Sequence, residues 1–128
     1  MERGHVAQGT RDHFTQGLQQ WCEAHQGTHL CLVGIGEDDE VVGFGFVVLT
    51  ARVPTASLDE RTSADVQAVF VAPELRNAGI GGLLIEELVG LARERGAEHI
   101  TVHSSPGAIT AYERAGFVHD SLMMNQML

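Results

Sequence analysis

The chain has 128 residues, 44% of them hydrophobic, with 17 acidic residues against 8 basic ones and a formal net charge of −9. This is the size of one domain, residues 1–128, able to bury a core without staples. The acidic balance argues against nucleic acid and anionic membranes as partners and suits a cationic one such as an amine. No apolar run approaches the roughly 18 residues of a membrane span. The polar N-terminus lacks a signal-peptide core, which places the chain in the cytoplasm. Cys22 and Cys31 do not make a disulfide framework and read as small buried hydrophobes in a reducing compartment.

Met1 to Gln8 carries no pattern. Thr10 is a candidate N-cap, after which Phe14, Leu18, Trp21, Cys22 and His25 recur at helical spacing, so a helix is expected over 10–26. His29–Gly36 and Val41–Thr50 are β-rich runs around the polar turn Glu37-Asp38-Asp39-Glu40, the pattern of an antiparallel hairpin. Gly43 and Gly45 alternate with Phe44 and Phe46 and suggest close backbone approach or a bulge. The acidic turn is a set of solvated charges, with cation binding as the competing reading.

Residues 52–63 read as a Pro-containing loop, and Ala64–Val71 as the central strand. Alternation puts Asp65, Gln67, Val69 and Val71 on one face and Val66, Ala68 and Phe70 on the other. A long helix is expected over 79–95, with Ile80, Leu83, Leu84, Leu88, Leu91 and Ala92 as its buried stripe and Gly96 as its stop. His99–Ser104 is the next strand. Ser105 then reads as an N-cap and Pro106 as the first helical residue of a short helix over 108–115, closed by Gly116. Phe117–Leu128 is expected to be a last strand at or near a sheet edge.

The junction of central strand and long helix carries the chemistry. A helix start leaves about four N–H groups without partners and bears partial positive charge. Glycines allow a ligand close to that backbone. Gly79, Gly81 and Gly82 stand there, with Arg76 as a nearby fixed charge, so the stretch reads as a phosphate site. A Walker A loop is excluded because the chain has no lysine. A dinucleotide fingerprint fits poorly, because the link from the strand is long. The spacing present is Arg76-Asn77-Ala78-Gly79-Ile80-Gly81.

That stretch, with the preceding Val71-Ala72-Pro73-Glu74-Leu75, resembles the coenzyme A motif of the GNAT superfamily of acetyl-CoA-dependent N-acetyltransferases. A second stretch, His103 to Phe117 with Tyr112-Glu113-Arg114-Ala115-Gly116-Phe117, is similar to the family's later strand-loop-helix motif. Val41-Val42-Gly43-Phe44 matches its hairpin. Together they cover roughly residues 29–128. The resemblance implies an α/β (α+β) fold, a central, mixed, largely antiparallel sheet flanked by helices, with a cofactor cleft between the two central strands. Family members usually open with a strand and two helices. Here there is room for about one helix before His29, so the N-terminal region is shortened, with any first strand residual near Val6 or supplied by a partner subunit.

The implied reaction is acetyl transfer from acetyl-CoA to an amine by direct attack in a ternary complex. The amine must lose a proton and the departing sulfur gains one. By resemblance the pantetheine arm lies beside Val69, Phe70 and Val71, bonded to the backbone of the two valines, while Phe70 packs in the core. The diphosphate lies on Arg76, Asn77, Ala78, Gly79, Ile80, Gly81 and Gly82, and Ser105 stands near a position that contacts the arm. Tyr112 matches the tyrosine that protonates sulfur, with packing on the cofactor as the alternative. Asp65 falls where relatives carry a basic carboxylate; being short, it would act through water, and a hydrogen-bonded strand-end role competes. Gln67 is placed to orient water or acceptor. His103 is either a base or a polar strand end. His99 and His103 lack a third ligand nearby except His119, so no metal is expected. The acceptor class is a small-molecule or peptide amine, and a homodimer using the apolar tail Leu122–Leu128 is the default assembly. The alternative function is a non-catalytic acyl-CoA-binding sensor or regulatory module. A nucleotide-binding domain is a third.

Overall fold

The computed structural model describes residues 8–128. The strand expected near Val6 lies outside that range. Helix α1 (Gln8–Ala24) overlaps the expected span of 10–26 but ends two residues earlier, and Thr10 lies within it rather than at its cap. Its stripe of Phe14, Leu18 and Trp21 stays exposed. At its end Trp21 stacks on His25 with ring centroids 4.1 Å apart and meets His29 edge-on at 4.8 Å, which ties the helix to the strand that follows.

Strands β1 (His29–Ile35) and β2 (Val41–Arg52) form the expected hairpin. Its turn is closed by the Gly36 amide donating to the Glu40 carbonyl at 2.7 Å. Strand β3 (Arg61–Val71) runs antiparallel to β2 and begins at Arg61 rather than Ala64. The early start has a visible cause. Arg61 forks onto Glu98, Nε to Oε1 at 2.8 Å and Nη2 to Oε2 at 3.1 Å, and the Glu98 amide donates to the Thr62 carbonyl at 2.8 Å. The base of β3 is thereby held against the segment leading to strand β4 (Ile100–Val102). β4 pairs parallel with β3, so the sheet order is β1-β2-β3-β4, mixed and largely antiparallel.

Helix α2 (Ile80–Glu94) lies across the sheet on the face formed by Gly43, Gly45 and Val47. A Cβ at Gly43 would stand 2.6 Å from the Phe70 carbonyl oxygen, and one at Gly45 would stand 2.8 Å from Leu88 Cδ1. The alternating glycines are thus where strand and helix come closest. Val47, Ala64, Val66, Leu88 and Ala92 make the buried core, with Leu30, Leu32 and Val69 packed against it. Helix α3 (Ile109–Arg114) follows a 3-10 turn at Pro106–Ala108 and sits beside α2. No helix among the described residues is long and apolar enough to cross a membrane.

Four expectations need correcting. The faces of β3 are not constant: β2 pairs Phe46 with Ala68 and then Val47 with Val66, leaving Gln67 as a bulge. Val69 therefore joins Val66 on the α2 face, while Phe70 stacks on Phe44 on the other, centroids 5.4 Å apart. Ser105 precedes a 3-10 turn and its side chain makes no capping bond. The cysteines are not buried; Cys22 is half-buried and Cys31 exposed, because Cys31 alternates away from the core that Leu30 and Leu32 reach. Finally, residues 117–128 form no strand. Only Phe117 packs against the core, while Asp120 turns the chain by accepting the Leu122 amide on Oδ1 at 2.9 Å and the Met123 amide on its carbonyl at 3.3 Å. Leu122, Met124 and Met127 are left exposed.

Candidate active site

β3 and β4 stay together only from Ala64–Val66 and Ile100–Val102. Beyond that point β4 has ended and β3 runs on to Val71, so its free edge looks into a gap. α3 and the start of α2 wall this gap, giving a cleft of about 280 Å3. Gln67, Val69, Gly81, His103, Ser105 and Tyr112 all line it. Six side-chain or backbone positions expected from separate motifs are thus brought to one cavity.

Where α2 begins, with Gly81 on the cleft, the chain prepares a bed of amides. Asn77 has φ 66° and Gly79 has φ 85°, two left-handed residues just before α2. Such alternation curls successive N–H groups toward a common concavity. Gly79 is the N-cap with no side-chain cap, and the first helical bond is Leu83 N–H to the Gly79 carbonyl at 3.2 Å. The amides of Ile80, Gly81 and Gly82 therefore lack intrahelical acceptors. A Cβ built at Gly79 or Gly82 would meet nothing within 4 Å, so no side chain crowds these two glycines. Gly81 faces Val71 instead, its built Cβ 3.7 Å from Val71 Cγ2. Arg76 is turned back along β3: Nε donates to the Val71 carbonyl at 3.1 Å and Cζ lies 5.6 Å from the Phe70 ring centroid.

Tyr112 stands on the α3 wall, buried, with its ring edge-on to Phe117 at 5.4 Å. Burial pushes its phenol pKa above the ordinary value of 10.0, so the hydroxyl holds its proton firmly at neutral pH. Asp65 sits below the bulge and does not line the cleft. Its Oδ1 accepts from Thr101 Oγ1 at 2.5 Å and its Oδ2 from Gln67 Nε2 at 2.7 Å. Gln67 thus connects Asp65 to the cavity. Of the positions expected at the cofactor, Phe70, Val71, Arg76, Asn77, Ala78, Gly79, Ile80 and Gly82 do not line the cleft.

Sequence reading missed Thr101, whose tie to Asp65 depends on the register between β3 and β4 and has no local signature. It also missed Ala108 and Ala111 as cleft wall. Ala108 stands four residues before Tyr112, at the cap of the same helix, which was a signal for it alone. Among the described residues no cluster of three His, Cys, Asp or Glu side chains is placed to hold a metal.

The acetyltransferase (GNAT) family model matches residues 3–117. The chain belongs to the GNAT acetyltransferase family. Streptothricin acetyltransferase from Streptomyces lavendulae is 34% identical over 88 residues, covering 66% of this chain and 42% of that protein. An uncharacterized N-acetyltransferase from Methanocaldococcus jannaschii is 32% identical over 65 residues, 48% of this chain and 29% of that protein. The chain spans less than half the length of these curated relatives. Among solved GNAT-like structures, an acetyltransferase from Trypanosoma brucei aligns with TM-score 0.71 at 23% identity over 87% of this chain and 78% of its own. A predicted acetyltransferase with acetyl-CoA from Clostridium acetobutylicum aligns with TM-score 0.72 at 16% identity, covering 88% and 73%. At these identities the likeness is one of fold.

Proposed function

We propose that this GNAT domain is an N-acetyltransferase that moves the acetyl group of acetyl-CoA to an amine by direct attack while both are bound. The observation that carries the reading is that Gly81 from the start of α2, Val69 from the unpaired edge of β3, and the buried Tyr112 line one cavity.

The residues fit the cosubstrate. The amides of Ile80, Gly81 and Gly82 suit a diphosphate, because the start of α2 has no side-chain cap and no side chain crowds Gly79 and Gly82. The backbone of Val69 offers strand-edge bonds to an amide-bearing arm, joined by the Val71 amide, since the Val71 carbonyl already accepts from Arg76, and Ser105 lines the same cleft. Acetyl-CoA supplies an activated acetyl group there. Tyr112 is assigned the proton delivered to the departing sulfur, since its raised pKa keeps the phenol protonated until a stronger base appears. Asp65 is assigned the proton taken from the amine, through water, with its two oxygens retaining acceptor capacity beyond the bonds to Thr101 and Gln67. Gln67 and His103 are assigned to the acceptor side of the cleft.

The substrate class is a primary amine on a small molecule or peptide. Likeness to a streptothricin acetyltransferase puts streptothricin in the first acceptor panel. The domain is assigned to the cytoplasm, and its assembly to a homodimer. Thermal-shift titration with CoA, ATP and NAD tests the ligand first: CoA alone is expected to raise the Tm. A thiol-release assay over the amine panel tests turnover. CoA binding without turnover on any amine would favour an acyl-CoA sensor.

A further inference from the structure

A second concavity opens on a different face of α2 from the cleft. Gly81 and Ile85 look into the cleft, whereas Ile80, Leu83, Leu84 and Glu87 border a groove that runs under the β1–β2 hairpin. The groove measures about 670 Å3 and shares no lining residue with the cleft. Leu32 and Val42 from the hairpin, Leu75 from the loop, and the three apolar α2 residues form its walls. That volume falls within the range of roughly 300–1,000 Å3 typical of small-molecule sites.

The rim has one sign. Its ionisable residues are Glu37, Asp38 and Glu40 from the hairpin turn and Glu87 from α2, with no Arg or His among the lining residues. None of the four is in an ion pair with a described residue; Arg61 is taken by Glu98. The turn that presents three of them is closed by two bonds, Gly36 N–H to the Glu40 carbonyl at 2.7 Å and Asp39 N–H to the Gly36 carbonyl at 3.2 Å. The turn backbone is thus fixed, and those three acidic residues and Glu87 stand exposed at the mouth of an apolar trough.

We propose that this groove binds an amphiphilic cation, a small alkylammonium compound. Its apolar body lies on Leu32, Val42, Leu83 and Leu84, and its positive head lies among Glu37, Asp38, Glu40 and Glu87. An anionic head of equal apolar area is repelled, and a neutral one gains burial alone. The site does not depend on the transferase reading.

Octyltrimethylammonium is the probe, because a quaternary nitrogen cannot be acetylated and so cannot report on the cleft's chemistry. In amide NMR titrations of the whole chain at low salt, its shifts are expected at Leu32, Val42, Leu83 and Leu84 and not at Gly81 or Tyr112. Its affinity is expected to exceed that of octanol by about tenfold and to weaken as salt shortens the screening length. Octanoate is expected to bind more weakly than either. Glu37→Gln with Glu87→Gln erases the preference for the cation and leaves octanol unchanged. Leu83→Arg abolishes binding of the cation, and because Leu83 is 63% exposed the substitution leaves the fold intact. Equal affinity for the three probes, shifts centred on Gly81 and Tyr112, absence of saturable binding, or undiminished binding by Leu83→Arg each overturn the assignment.

Discussion

Gln67 Nε2 lies 2.7 Å from Asp65 Oδ2, and this one contact fixes the polarity of the cleft wall. An ionised carboxylate only accepts hydrogen bonds, so the amide must turn its nitrogen to Asp65 and its oxygen elsewhere. Thr101 occupies the other carboxylate oxygen and keeps Asp65 from rotating away. The Gln67 oxygen is left to accept from an N–H donor in the cavity. Gln67→Ala is expected to raise the KM of the amine about tenfold, the scale of one lost hydrogen bond, while the KM of acetyl-CoA stays put. Steady-state kinetics on the best acceptor in the panel check this. An equal rise in both constants would mean that the bulge itself had collapsed.

Tyr112→Phe keeps the ring that meets Phe117 and removes only the hydroxyl. The expected result is a fall in kcat of about a hundredfold with CoA affinity unchanged, the usual scale for one general acid. Burial raises the Tyr112 pKa above 10.0. The catalytic form is protonated, so activity assigned to it persists below that pKa and is lost as pH rises through it. A basic limb above pH of about 10 should appear in the wild-type kcat profile and vanish in the variant. Stability follows the same sign. Both folded and unfolded phenols are protonated below about 10; above it the unfolded state ionises first, so wild-type Tm drops with rising pH more steeply than that of Tyr112→Phe.

The phosphate end separates folding from binding. Nothing lies within 4 Å of a Cβ built at Gly82, so Gly82→Val is expected to change stability little, while it adds a branched side chain in the first turn of α2. The KM of acetyl-CoA should rise about tenfold or more, and CoA should lose its thermal shift. Gly79→Ala tests the other half. At φ 85° an alanine is strained by roughly 1–2 kcal/mol, so this variant loses stability as well as CoA binding.

Much of this site was legible because its cues are local. Alternation, helical spacing and glycine placement around residues 69–84 located strand, turn and helix, and the second motif placed Tyr112 on a short helix. What escaped depends on partners distant in sequence. The bulge at Gln67 exists only because β2 and β3 slip register, and it overturns simple alternation beyond that residue. Thr101 reaches Asp65 only because β4 docks beside β3. The tail after Phe117 has strand-like composition, but a strand needs a neighbour to take its backbone bonds, and Asp120 captures the Leu122 amide first.

Arg61 and Glu98 hold the closed end of the cleft, where β3 and β4 begin to run together. The bond to Arg61 lowers the Glu98 pKa below its ordinary 4.5. A depressed carboxylate pKa contributes stability that is present above the unfolded value and lost as pH falls through the folded one. Glu98→Gln is therefore expected to lower the Tm by a few degrees near neutral pH and to make no difference at acid pH. Both side chains keep contact with solvent, so salt should shrink the gap as well. Melting curves of wild type and variant across pH give the comparison.

Gly45 sets the distance at which α2 rests on the sheet. A methyl there would stand 2.8 Å from Leu88 Cδ1, and Leu88 is itself fully buried. Leu88 has little room to retreat, because Val47 and Ala92 close the same cluster. Gly45→Ala is expected to cost about 1–3 kcal/mol by overpacking. Gly43→Ala should cost more, because its Cβ would meet the Phe70 carbonyl oxygen at 2.6 Å, and a backbone atom in a paired strand cannot swing aside. Urea unfolding of the two variants orders them. α2 also carries the amides at the phosphate end, so any shift it makes to relieve Gly45→Ala should reappear as weaker CoA binding. A loss of stability with CoA affinity untouched would show that Leu88 alone absorbs the strain.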